Sequence, residues 1–125
     1  MVLIFGGAYQ GKLAFAQEKF QLSDEDVFFC RADSAPEFSA KIICNLENFC
    51  LYCLSNGLEP RELLRQNAGA LRDKIVIVRD ISQGVVPVDP LQRAWREACG
   101  RALIYLAQEA GEVYRVFCGL PERLK

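Results

Sequence analysis

Val2-Leu3-Ile4-Phe5-Gly6-Gly7-Ala8-Tyr9-Gln10-Gly11-Lys12-Leu13 is the stretch that decides the fold. An apolar run long enough for one strand meets two glycines. A third glycine and a lysine follow, and then a helix-spaced segment to Phe20 carries Leu13, Ala16 and Phe20 on one side. The pattern fits G-x-x-x-x-G-K at the strand-loop-helix position that a phosphate-cradling loop requires. Glycines let backbone N–H groups turn inward around an anion, the helix that starts near Gly11 presents its positive end, and Lys12 supplies a mobile cation. Gly6, Gly7, Ala8, Tyr9, Gln10, Gly11, Lys12 and Leu13 are therefore the candidate nucleotide-binding residues, the alternative being a glycine turn that binds nothing.

Leu13 departs from the motif, which places a Ser or Thr there to put a hydroxyl on Mg²⁺. Leucine cannot ligate a cation. Either the nucleotide and other carboxylates hold Mg²⁺, or the loop binds an anion without catalysing phosphoryl transfer. Asp80 is the leading candidate as metal ligand and, with Lys12, as catalytic residue. It follows the β-branched run Lys74-Ile75-Val76-Ile77-Val78, and such a buried strand delivers its terminal acid to the carboxyl edge of a parallel sheet, where ligands collect. The alternative for Asp80 is a cap on the turn that opens the next loop.

Outward from these two points, strands and helices alternate. Val27 to Cys30 is a short strand. Lys41 to Cys44 is ambiguous between strand and helix entry, and a helix runs from Asn45 to Ser55. Pro60 opens a helix continuing to Leu71. Pro90 opens a long helix to Glu109 with Leu91, Ala94, Trp95, Ala98, Ala102, Tyr105 and Leu106 at helical spacing, and Glu112 to Cys118 is the last strand before a Gly119-Leu120-Pro121 turn. Helices between strands imply right-handed crossovers and a mostly parallel sheet. The expectation is a three-layer α/β domain of P-loop NTPase type spanning residues 1–125 as one unit.

Composition excludes several chemistries. Among 125 residues there is no histidine, which removes Ser-His-Asp and Cys-His hydrolases, mixed Cys/His zinc sites and phosphohistidine or nucleotidyl-histidine intermediates. With 15 basic against 16 acidic side chains and 51% apolar residues, neither disorder nor a polybasic nucleic-acid binder fits. The apolar N-terminal run is too short for a membrane span and lacks a basic leader, so a soluble, cytoplasmic protein is expected. Cys50-Leu51-Tyr52-Cys53 spells C-x-x-C, yet Leu46, Phe49, Cys50, Cys53 and Leu54 recur at the spacing of one apolar helical face, so these thiols read as core hydrophobes rather than a redox pair.

Three blocks resemble the bifunctional adenosylcobinamide kinase / adenosylcobinamide-phosphate guanylyltransferases of cobalamin biosynthesis. Gly6-Gly7-Ala8 with Gly11-Lys12 is similar to that family's Gly-Gly-Ala-x-Ser-Gly-Lys-Ser loop. Gly84-Val85-Val86-Pro87 followed by Arg93, Trp95, Arg96 and Gly100 is similar to its Gly-Ile-Val-Pro, Arg-x-Phe-Arg and helix glycine, and Gly119-Leu120-Pro121 to its closing turn. The resemblance implies GTP or ATP as bound nucleotide, a corrinoid hydroxyl as phosphoryl acceptor and self-association into a homo-oligomer. It also implies that Arg93 and Arg96 lie near the triphosphate or a neighbouring subunit. The alternative for these arginines is a solvated face with Arg93 paired to Glu97. Where the family has Asn-Glu-Val-Gly, this chain has Arg79-Asp80-Ile81-Ser82. Its middle is shortened, and it lacks the histidine on which the family carries GMP. Two functions therefore stand side by side: a cobinamide kinase-like enzyme without histidine-dependent guanylyl transfer, and a non-catalytic nucleotide- or corrinoid-binding paralogue.

Overall fold

A computed structural model describes residues 1–82 and 84–125. Six strands, β1 (Val2–Gly6), β2 (Val27–Phe29), β3 (Ile42–Cys44), β4 (Ile75–Arg79), β5 (Glu112–Phe117) and β6 (Leu120–Arg123), form one sheet in the order β2-β3-β4-β1-β5-β6. The first five are parallel to their neighbours and β6 is antiparallel to β5. Strands buried on both faces need apolar side chains on both faces, which explains the unbroken runs of β1 and β4. Leu3, Val76, Val78 and Val113 point to one layer, and Ile4, Ile75, Ile77, Tyr114 and Val116 to the other.

α1 (Lys12–Phe20) covers the second of these faces with Leu13, Phe15, Ala16 and Phe20. The opposite face is covered by α2 (Leu46–Ser55), α3 (Pro60–Gln66), α4 (Ala68–Leu71) and α5 (Pro90–Glu109). This is the expected three-layer α/β architecture. Because the strands are parallel, the ends of β1, β3, β4 and β5 share one edge, and the loops after β1 and β4 leave from it together.

The ambiguous segment before α2 is a strand, β3. Three other local expectations are corrected. The single helix to Leu71 is two, parted at Asn67, whose side-chain amide donates to the Leu63 carbonyl at 2.7 Å; such local side-chain bonds compete with helix continuation. Leu91 lies on the apolar stripe but is 50% exposed, because the first turn of α5 projects beyond the core and only the part from Ala98 is fully covered. The last strand is β6, not β5. Cys118 and Gly119 both have positive φ, 52° and 75°, and make a two-residue hairpin loop. Pro121 tolerates the outer position because an edge strand leaves alternate N–H groups unpaired.

Cys30, Cys44, Cys50, Cys53 and Cys99 are buried and Cys118 is exposed, so the C-x-x-C pair packs in the core as expected. No helix among the described residues is long and apolar enough to cross a membrane.

Candidate functional site

The loop between β1 and α1 is shaped by backbone that side chains resist. A Cβ on Gly6 would stand 2.4 Å from the Val116 carbonyl oxygen of β5, so the first strand closes on the sheet only without a side chain there. Tyr9 (φ 57°) and Gly11 (φ 91°) turn left-handed, and a Cβ on Gly11 would touch Gly119 Cα at 3.4 Å. Tyr9 stands wholly in solvent at the tip. The Lys12 ammonium folds back and donates to the Gly7 carbonyl at 2.6 Å, which places its charge within the loop. Burial pulls this lysine below its ordinary pKa; Glu47 and Cys44 oppose that shift and Arg79 adds to it.

The loop is braced from the far end of the chain. The Gln10 carbonyl accepts from Gly119 N–H at 2.8 Å, and its side-chain Oε1 from Cys118 N–H at 2.6 Å. The closing block of the sequence is thus a support for the β1–α1 loop as well as a hairpin.

Asp80 lies where expected, one residue past β4. Its N–H donates to the Gly6 carbonyl at 2.8 Å, and its Oδ1 accepts from the N–H and hydroxyl of Ser82. It therefore caps the turn and also lines a cleft of about 340 Å³ with Gly6, Gly7, Gln10, Arg115 and Phe117. Leu13 packs into the α1-side core and offers no oxygen. Among the described residues no group of three or more His, Cys, Asp or Glu side chains could hold a metal ion. One carboxylate at the lip suits a cation such as Mg²⁺, which takes most of its ligands from phosphate and water.

The two arginines part company. Arg96 closes the loop after β4, donating to the carbonyls of Ser82, Gly84 and Val85, the last at 3.1 Å. Arg93 is exposed on the first turn of α5, and no ion pair joins it to Glu97 among the described residues.

Sequence reasoning missed Glu47. It is 4% exposed, its Oε1 accepts from Arg79 N–H at 2.9 Å, and its main-chain carbonyl accepts from the Trp95 indole at 2.7 Å. An acid in the first turn of a helix is an ordinary dipole complement, so nothing local distinguishes it. Its partners lie 32 and 48 positions away.

Among known proteins, the model of the cobinamide kinase / cobinamide phosphate guanyltransferase family matches residues 55–124, more than half of the chain. The β1–α1 loop lies outside the matched span. No curated protein matches.

Proposed function

Because the chain belongs to the cobinamide kinase / cobinamide phosphate guanyltransferase family of cobalamin biosynthesis, we propose that residues 6–12 bind the triphosphate of GTP or ATP and that the protein phosphorylates a corrinoid hydroxyl. The observation that carries this reading is the meeting of the β1–α1 loop with Asp80 at one cleft, with Lys12 folded onto Gly7 at 2.6 Å. Phosphoryl transfer asks for positioning and charge neutralisation more than covalent help. Backbone N–H groups and Lys12 hold the phosphates. Asp80 would hold a Mg²⁺ ion that comes with the nucleotide, and such an ion would supply charge neutralisation for the phosphates. The bond from the γ-phosphorus to the bridging oxygen breaks, one to the acceptor oxygen forms, and the acceptor proton leaves to solvent.

Guanylyl transfer through histidine is not proposed, since no histidine is present. After incubation with GTP, mass spectrometry is expected to find unmodified protein. An acid-labile GMP adduct would have to sit on a lysine and would restore nucleotidyl transfer.

A second reading, a nucleotide- or corrinoid-binding protein without turnover, is favoured by Leu13 in the core where a metal-binding hydroxyl would stand. Turnover of GTP and ATP with and without adenosylcobinamide separates the two. An enzyme yields adenosylcobinamide phosphate; Asp80→Asn loses that product while keeping nucleotide affinity, and Leu13→Ser raises rate and Mg²⁺ dependence. Nucleotide binding with no product in any of the three proteins establishes the second reading. We further propose a homo-oligomeric, cytoplasmic protein, the first checked by sedimentation and the second by fractionation.

A further inference from the structure

Glu47 is a buried charged side chain that the phosphoryl-transfer chemistry above does not use. Ionised carboxylates are seldom carried inside without partners, because desolvation of the charge outweighs most packing gains. The sheet explains its position. β3 pairs with β4 only at Ile75 and Val76, so β4 runs on toward the site without β3 beside it. Asp80 N–H turns to Gly6 on β1, and alternate residues of a strand offer their N–H groups to opposite sides. Arg79 N–H therefore faces the side where β3 has ended, and the Glu47 carboxylate takes it at 2.9 Å in place of a strand. The same residue's carbonyl holds Trp95 of α5 at 2.7 Å. One residue thus meets both elements, its side chain holding the β4 residue that directly precedes Asp80 and its main-chain carbonyl holding α5.

We propose that Glu47 is a positioning residue of the nucleotide site, one that fixes the Arg79–Asp80 junction beside Gly6. The inference rests on residues 6–12 being the triphosphate site. Without the Glu47 oxygen, Arg79 N–H is left unmet where β3 has ended, so the backbone that leads into Asp80 is free to shift.

The test compares Glu47→Gln, which keeps an oxygen for Arg79 N–H, with Glu47→Ala, which removes it, by ¹⁵N–¹H NMR of the Arg79 and Asp80 amides and by calorimetry with GTP. Glu47→Ala is expected to shift both amide signals and to weaken GTP binding about tenfold, and Glu47→Gln to leave both near wild type. Arg79 and Asp80 amide signals unchanged in Glu47→Ala would overturn the proposal. Should Glu47→Ala not fold, Glu47→Met, apolar and of similar length, makes the same comparison. Absence of GTP binding by the wild type would instead overturn the triphosphate site, and the amide signals would still decide whether Glu47 fixes the junction.

Discussion

In the first twenty residues the backbone itself shapes the candidate site. Gly6, Tyr9 and Gly11 bend it, and Lys12 folds onto Gly7 within the loop. From residue 80 onward the roles reverse, and side chains and turns there hold backbone, both in their own region and outside it. Arg96 gathers the carbonyls of Ser82, Gly84 and Val85, Trp95 takes the Glu47 carbonyl, and the Cys118–Gly119 turn donates both N–H groups to Gln10. The family match covers the second region and not the first. Family likeness is thus carried by the frame around the loop, and the loop is recognised by its own geometry.

Glycine substitutions test that contrast most severely. Gly6→Ala places a Cβ against the Val116 carbonyl, where neither backbone can yield, and is expected to lower stability by about 3 kcal/mol or more. Gly84→Ala meets nothing within 4 Å and bears only the strain of φ +90°, about 1–2 kcal/mol. Denaturant unfolding of both variants checks this, and equal losses would show that the first region is not the tighter one.

The brace between the regions comes next in size. Gln10→Ala removes the acceptor of Cys118 N–H and is expected to weaken GTP binding about tenfold. Arg96→Ala, which frees the loop after β4 without touching the phosphate loop, is expected to change GTP affinity less than about threefold while lowering the melting temperature by a few degrees. If calorimetry gives the reverse order, Arg96 serves the nucleotide and the division fails. The smallest effect is chemical. Cys118 is expected to be the one thiol that reacts with an aromatic disulfide reagent in the native protein, since the other five are buried. Rapid modification of Cys50 or Cys53 would return the C-x-x-C pair to redox chemistry.

Legibility in the sequence followed the same division. β1, the glycine-rich turn after it, α1 and β4 were readable because each is encoded in adjacent residues: an apolar run, a glycine spacing, a helical stripe. The parallel order followed from helices between strands. β6 was not readable, since Pro121 after Gly119 looks like a turn and only the pairing with β5 makes residues 120–123 a strand. Asn67 broke a helix through one bond to Leu63 that the apolar spacing does not encode. At the candidate site, Lys12 and Asp80 were picked out by motif and strand end, and the structure brings the loops that carry them together. Glu47 was missed because its significance lies in partners on β4 and α5, which sequence proximity does not reveal. Arg96 was found and given a different task, because its carbonyl partners depend on how the loop after β4 folds.

The central claim, that residues 6–12 hold a nucleoside triphosphate through Lys12, is tested most directly by calorimetric titration of GTP and ATP into wild type and Lys12→Ala. Loss of the charge-assisted contact is expected to weaken binding by roughly 1.5–3 kcal/mol, about one to two decades. Equal affinity in the two proteins would contradict it.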